Sequence, residues 1–452
     1  MTLDFERILA QQGSGLPRYT SYPPANHFKP GGGMLLLPAM TEAARKVDLV
    51  SIYIHIPFCD RMCWFCGCHT KQTLRYEPVA DYVKTLAAGI AMWKSQLGMR
   101  PKVANLHFGG GSPSLLRAAE LDLLRVALDR AFDFSERPEI SFEIHPSDMM
   151  GADVSRFADF GMTRISIGVQ DFDSAVQAVI NRPQSFELTR EVVETLRGAG
   201  IQSINIDALY GLPLQTGERL TNTIAKVISL KPDRVALFGH AHVPWTKPRQ
   251  RLIDEAALPG AAKRFENAQM ASSKIVDAGY EAIGIDYFAK PGDGLAKAAR
   301  QRRLHRNFQG YTDDETSVRI GLGPAAIVCF DEGFVQNETA TGIYATRINK
   351  AELGLARGLE LSDEDRLYAD IIELLMCNFG FSFALLEAKH GPAAARAITL
   401  AKTNAAADND GLCHVLQGRF EMREAARPFV RIVAARFDQR LATAVQRYSK
   451  VV

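Results

Sequence analysis

The chain has 452 residues, about three times the ~150 of a typical single domain, although α/β barrels run well past 200 as one unit. Apolar residues make up 47% and charged residues 23%, which supplies a large core and excludes a mainly disordered chain. With 53 basic and 51 acidic residues the net charge is +2, so no bulk positive field draws the chain onto nucleic acid or an anionic membrane.

The N-terminus, Met1-Thr-Leu-Asp-Phe-Glu6, carries acids where a secretion signal has a basic start. The longest apolar stretch, Met34-Leu-Leu-Leu-Pro-Ala-Met40, falls far short of the ~20 residues that span a bilayer. A cytoplasmic protein without membrane insertion is expected. Residues 1–35, with Pro17-Arg-Tyr-Thr-Ser-Tyr-Pro-Pro24 and Gly31-Gly-Gly33, read as an extended, turn-rich arm.

Next come six short β-branched runs: 50–56, 103–108, 139–144, 164–169, 203–207 and 234–238. Amphipathic stretches such as 79–97, 120–132 and 188–198 lie between them. Strands alternating with helices predict successive right-handed βαβ units and a parallel sheet. Six units are too few for a closed eight-stranded barrel, and the first strand carries no dinucleotide fingerprint. The expected fold is an α/β, incomplete (β/α)6 barrel over residues 36–328, including an extension. A connector over 329–361 follows, within a Gly- and charge-rich stretch from 290. A helical C-terminal domain is expected over 362–452, with helices at 363–378, 383–390, 393–407 and 428–448 and a small β-wing near 411–420.

Seven cysteines, an odd number, in a chain without a secretion signal argue against a disulfide framework. Four crowd into Cys59-Asp-Arg-Met-Cys63-Trp-Phe-Cys66-Gly-Cys68, directly after the first strand; Cys329, Cys377 and Cys413 are scattered and read as packing residues. Thiolates are soft ligands suited to zinc and to iron–sulfur clusters. Structural zinc favours two pairs across a longer spacer. Three thiolates at x3 and x2 spacing suit three irons of a 4Fe–4S cube, leaving the fourth iron open, and zinc is the weaker alternative. Cys68 lies too close to Cys66 for both to reach one metal easily.

This loop resembles the CxxxCxxC motif of the radical S-adenosylmethionine (SAM) superfamily. The extra Cys68 is similar to its oxygen-independent coproporphyrinogen III oxidase branch. Further matches are the Tyr-Thr-Ser-Tyr-Pro of the arm, His55-Ile-Pro-Phe-Cys59, Gly109-Gly-Gly111, Gly168-Val-Gln-Asp-Phe172, Asn205-Ile-Asp207 with Tyr210-Gly-Leu-Pro213, and His305-Arg-Asn-Phe-Gln-Gly-Tyr311.

The resemblance implies a 4Fe–4S cluster on Cys59, Cys63 and Cys66. It implies SAM contacts at Tyr53, Phe65, Gly110, Gly111, Ser112, Glu143 and Ile327, and a second SAM near Gln170, Arg182, Asp207 and Ala241. Each has a plainer reading: a packed aromatic for Tyr53, a tight turn for the glycines, a capped or solvated strand end for the acids. The implied activity is conversion of two propionates of coproporphyrinogen III to vinyl groups, in haem biosynthesis, by a monomer served by a reductase or flavodoxin-type electron donor. No catalytic proton donor is assigned. The tetra-anionic tetrapyrrole needs local cations, for which Arg18, Arg303, Arg306 and Lys290 are candidates.

Two departures bear on the substrate. The family's Glu-x-Asp-Pro-Arg reads Glu143-Ile-His-Pro-Ser147 here, and its Gly-x-Asp-His-Phe-Ala reads Gly284-Ile-Asp-Tyr-Phe-Ala289. A paralogous radical SAM enzyme on another tetrapyrrole or carboxylate is the alternative. A haem-trafficking protein is a further one, although such relatives lack both the fourth cysteine and the Tyr-Thr-Ser-Tyr-Pro.

Overall fold

The computed structural model describes residues 3–10, 15–149, 154–441 and 448–449. The six expected strands form: β1 (Leu49–Ile56), β2 (Lys102–Gly110), β3 (Glu139–Ile144), β4 (Arg164–Gln170), β5 (Ser203–Tyr210) and β6 (Arg234–Gly239). They are hydrogen-bonded in chain order, all parallel. Helices α1 (Glu77–Leu97), α2 (Ala118–Ala131), α3 (Phe186–Gly198) and α4 (Gly217–Ser229) are four of the connecting elements, and α5 (Ala261–Asp277) follows β6.

The strands alternate sharply. Ile52, Ile54, Leu106, Phe108, Phe142, Ile165, Ile167, Ile204 and Ile206 are at most 1% exposed and form the apolar face that packs on the helices. The other face is polar: Asn105 donates to Ser51 Oγ (3.4 Å), Ser141 Oγ meets His107 Nδ1 (2.6 Å), and Asn205 donates to Ser166 Oγ (2.8 Å). A period of two places these residues on one side of the sheet. That side is the concave interior. Its far end, at the N-terminal strand ends, is closed by Arg164, which bonds Glu139 (2.5 Å), and Arg234, which bonds Asp293 (2.8 Å).

The sheet does not close. After β6 it continues with β7 (Glu281–Ile283) and β8 (Tyr287–Ala289), where β8 pairs antiparallel to β6 and β7 to β8. Beside β1 runs β9 (Arg319–Leu322), parallel to it, followed by antiparallel β10 (Ile327–Phe330), β11 (Gly333–Asn337) and β12 (Leu355–Glu360). Lys29–Pro30 of the arm pairs with β12 at the edge.

The stretch expected as a connector, 329–361, therefore contributes strands to the main sheet and a helix, Thr341–Asn349. Its glycines read as loop, yet they mark close backbone packing. A Cβ on Gly333 would lie 2.4 Å from Leu359 O, and one on Gly358 would lie 2.7 Å from the Gly32 backbone.

In the C-terminal part, α6 (Asp363–Asn378), α7 (Phe383–His390) and α8 (Ala394–Ala406) match the expected helices closely. Ser362 and Asp365 form a capping box at the start of α6. The β-wing is Cys413–Leu416 with Arg419–Met422, joined by Gly380–Ser382. The last expected helix is shorter than its pattern: a 3-10 turn at Glu424–Phe429 leads into Val430–Ala435. Residues 442–447 of that expectation lie outside the described residues. Among the described residues no helix is long and apolar enough to cross a membrane.

Candidate cluster and cofactor site

In folds of parallel strands the loops beyond the C-terminal strand ends form the working face. Here the cysteine loop lies across that face, fastened at several points. Phe58–Cys59 pairs with Lys71–Gln72 at its base. The Trp64 N–H donates to Ile180 O (3.0 Å), and Asn181 Nδ2 donates to Met62 O (3.0 Å). Gln250, fully buried, donates to both Phe65 O (2.8 Å) and Ala241 O (2.9 Å). One amide thus ties the loop to the chain after β6. No motif in the sequence marks Gln250, because its role is to satisfy two backbone carbonyls from distant segments.

All seven cysteines are free thiols. Cys63 is buried and accepts a hydrogen bond from Arg182 Nη1 (3.4 Å). Cys66 Sγ accepts from the Cys68 N–H (3.4 Å), whereas Cys68 itself is exposed. The Cys68 hydrogen bonds and the charges of Arg249 and Arg182 overcome burial and hold Cys66 down at about 6. Burial and the neighbouring Cys66 and Cys63 push Cys59 up to about 12. Cys59 thus lies close enough to Cys66 and Cys63 for a charge on either to act on it. Among the described residues no three ligand side chains converge as they would on a single ion; a cube spreads three thiolates over three irons. A soft donor set with N–H groups aimed at its sulfurs fits such a cluster.

The end of β2 explains its glycines. Gly110 has φ +112°, and a Cβ there would lie 2.5 Å from the His55 ring. On Gly111 it would lie 2.4 Å from Phe58 O. The missing side chains admit His55 and the base of the cysteine loop, so much of this close approach is internal to the protein. His55 Nε2–H donates to His69 O (2.9 Å), which leaves Nδ1 to accept from the Tyr53 hydroxyl (3.0 Å). Burial lowers the His55 pKa and keeps the ring neutral. Tyr53 stacks on His107, with centroids 5.8 Å apart.

Glu143 joins the same group. Its Oε2 accepts from the Gly110 N–H (3.0 Å), and Oε1 lies 3.5 Å from His107 Nε2. Burial pushes this carboxyl up, but His107 and the Gly110 N–H outweigh it and hold it below the usual range. Its side chain keeps 41% exposure, so an ionised carboxylate faces the open interior. Ser112 turns away: its hydroxyl donates to Asp148 Oδ2 (2.5 Å), alongside that of Ser114 (2.6 Å).

On the β4–β6 side, Gln170 sits at a bulge with φ +71°, a conformation that costs energy outside glycine. Arg182 bridges the halves, donating to Gly168 O as well as to Cys63; its buried Nε has no partner. Asp207 accepts from Asn205 (2.7 Å) and Ser166 (3.2 Å). Ile327 lies two strands out from β1, where a Cβ on Gly321, the β9 partner of Tyr53, would meet its backbone, and it packs with Phe28, Leu359 and Leu361.

Asp207 is pushed up to about 6 by burial and by Glu143. The folded chain therefore keeps this proton where an unfolded Asp has lost it. Stability falls as pH rises from about 4 to about 6, and the full penalty of a buried carboxylate applies above that. Asp207→Asn preserves both hydrogen bonds, since an amide oxygen accepts from Asn205 and the Ser166 hydroxyl reverses. The metal-free variant is expected to melt about 2–4 °C above the wild type at pH 7.5 and level with it near pH 4. An advantage that persists at pH 4 would place the effect elsewhere.

The two family departures are accommodated differently. The Ser147 hydroxyl and N–H both approach His145 Nδ1 (2.6 and 3.2 Å). Burial, with Arg182 and Arg61 nearby, lowers that imidazole to about 3 and keeps it neutral. An acid and a base have thus been exchanged for a neutral, mutually bonded pair. Ser147→Arg alone is expected to cost about 1–2 kcal/mol, because a further guanidinium meets Arg182 and Arg61. With His145→Asp added, the double variant should cost about 1 kcal/mol less than the sum. Urea unfolding of the four-member cycle checks this, and zero coupling would refute the pairing. Tyr287 instead spans a gap: its hydroxyl donates to Gln309 O (3.3 Å), and its ring packs edge-on against Phe238 and Tyr311.

Of the four cations expected to meet the substrate, two are misplaced. Arg303 is exposed and paired with Glu315. Lys290 bonds Asp233 (3.1 Å) at the N-terminal end of β6, away from the working face. Sequence position alone cannot tell which end of a strand a following loop returns to. Arg18 and Arg306 lie at the correct end.

Comparison with known proteins agrees with this geometry. The radical SAM superfamily model matches residues 53–227. The oxygen-independent coproporphyrinogen III oxidase of Paracoccus denitrificans is 41% identical over 423 residues, 94% of each chain. That of Bradyrhizobium diazoefficiens is 41% identical and covers 97% of each. The solved structure of coproporphyrinogen III oxidase from Escherichia coli, a radical SAM enzyme, superposes with a TM-score of 0.88 at 32% identity, covering 98% of this chain and all of that one. The chain belongs to the oxygen-independent coproporphyrinogen III oxidase family of the radical SAM superfamily.

Proposed function

We propose that the chain converts two propionate side chains of coproporphyrinogen III to vinyl groups by oxidative decarboxylation, giving protoporphyrinogen IX in haem biosynthesis. The observation that carries this reading is the near end-to-end similarity to oxidases of that name, joined to three thiols on the working face with Arg182 donating to the sulfur of Cys63. When bound, a 4Fe–4S cluster and SAM supply the electron and the hydrogen-abstracting group.

The chain's own residues hold and orient. Cys59, Cys63 and Cys66 hold the cluster, with Arg182 and the Cys68 N–H donating to sulfur. Tyr53, Phe65, Gly110, Gly111, the backbone of Ser112 and Glu143 frame the first SAM, Glu143 offering its carboxylate to an ammonium or hydroxyl. Ile327 closes the β9–β10 side as an apolar wall. Gln170, Arg182, Asp207 and Ala241 frame a second SAM, for which Arg182 supplies an unpartnered Nε. Neutral His55 fixes the Tyr53 hydroxyl and holds no exchangeable charge.

The described residues from 362 to 441 form a mainly helical unit beyond the barrel, and the enzyme works as a cytoplasmic monomer with a reductase or flavodoxin-type donor. The test is anaerobic incubation of reconstituted protein with SAM, reductant and coproporphyrinogen III. Vinyl product together with 5′-deoxyadenosine is expected. Deoxyadenosine without vinyl product would favour a paralogous substrate, and haem binding without SAM cleavage a trafficking role.

A further inference from the structure

Four guanidinium groups from separate parts of the chain gather at the C-terminal ends of β5 and β6. Arg18 of the arm donates to Gly239 O (2.6 Å). Arg264, on the helix Ala261–Asp277 (6% exposed), donates to His240 O (2.9 Å) and lies 5.9 Å from the Tyr210 ring. Arg306 donates from Nε to Tyr19 O (3.2 Å), next to Arg18, and its guanidinium lies over the Tyr311 ring at 4.2 Å. Arg431, on the helix Val430–Ala435, feels the charges of Arg18 and Arg306.

Among the described residues Asp286 is a carboxylate that faces this group, 3.7 Å from Arg306. Positive charge therefore exceeds negative in a largely buried space, an arrangement that costs stability unless an anion joins it. Two of the donors have no partner: Arg306 Nη1, on a side chain only 4% exposed, and Arg431 Nε. Burial together with Arg18 lowers Arg431 to about 10, as expected for a cation crowded by cations.

The group adjoins the candidate cofactor site. Tyr287 packs on Phe238 of β6 and feels both Asp207 and Arg306. Arg18 and Arg431 keep some exposure, so a ligand can approach the group from their side.

We propose that Arg18, Arg306 and Arg431 form a carboxylate subsite that grips a propionate of the substrate other than the one undergoing reaction. This rests on the function proposed above and adds how a flat tetra-acid is oriented there. The two unpartnered N–H donors suit a carboxylate, which accepts several hydrogen bonds and replaces the missing counter-charge. Gripping a remote propionate fixes the macrocycle, so that its reacting side chain is presented at one place.

The test uses reconstituted holoenzyme carrying Arg431→Met, Arg431→Lys or Arg18→Met. KM for coproporphyrinogen III, and the Kd of its stable oxidised form coproporphyrin III read by fluorescence, should each rise about tenfold in the methionine variants. The maximal rate should fall less than KM rises, the lysine variant should recover part of the affinity, and iron content and SAM affinity should hold. Unchanged KM and Kd in both methionine variants would overturn the subsite, and so would a matching loss of SAM affinity. Should Arg431→Met fold poorly, Arg18→Met on the half-exposed arm decides. Absence of vinyl product from the wild type would instead overturn the function, which keeps the two failures distinct.

Discussion

Replacing Cys63 with alanine is expected to take the reconstituted protein from about four irons and four sulfides per chain to a trace of each. Formation of 5′-deoxyadenosine should fall to background with them. Cys63 is the most enclosed of the three thiols at 8% exposure and the one that Arg182 touches. Its neighbours on both sides are fixed, Met62 O by Asn181 and the Trp64 N–H by Ile180 O. The backbone therefore cannot slide another residue into place. Cys68 does not substitute, since it is exposed and its N–H is committed to Cys66. Cys413→Ala, in the buried C-terminal core, is the control and should keep its iron. Iron and sulfide analysis with an electronic absorption spectrum checks both, and a Cys63→Ala protein with full iron would remove the cysteine loop from the cluster.

Glu143→Gln should lower kcat/KM by about 30- to 1000-fold, the equivalent of about 2–4 kcal/mol for a partly buried charged contact. The substitution is nearly isosteric, and the amide oxygen still accepts from the Gly110 N–H, so the strand ends should hold their places. What disappears is the negative charge that His107 and Gly110 keep in place at the open interior. Weaker SAM binding at normal iron content is the expected signature. Unaltered SAM affinity would assign Glu143 to strand capping alone. The same variant should bring Asp207 back toward an ordinary carboxylate, because Glu143 adds to burial in pushing it up.

Much of the barrel was legible because its strands are regular. The β3 boundaries, Glu139–Ile144, agree with the pattern residue for residue, and helices α6 and α7 likewise. Each of these segments has one face against a large core, so burial imposes a clean period. The strands from β9 to β12 were hidden for the opposite reason. They are four to six residues long, and three of them hold a glycine where a neighbouring backbone passes, which leaves too few side chains to show alternation. The final helix misled in another way: its apolar pattern continues beyond Ala435, where the helix ends and Phe437 is buried.

The candidate site divides along the same line. Cysteine spacing, the three glycines and the strand-end polar residues are local signals, and the sequence by itself determined the loop, its thiols and the face they occupy. The tertiary structure alone decided which distant groups meet there. Gln250 joins two backbone segments, Ser147 pairs with His145, and Arg182 reaches a sulfur more than a hundred positions away. It also separated the cations, sending Lys290 and Arg303 to acids elsewhere and gathering Arg18, Arg306 and Arg431 at one end of the sheet. The physical reason is that chain chemistry fixes what a residue offers, whereas charge acts over a few ångströms of space. Only the path of the folded chain sets which charges stand that close.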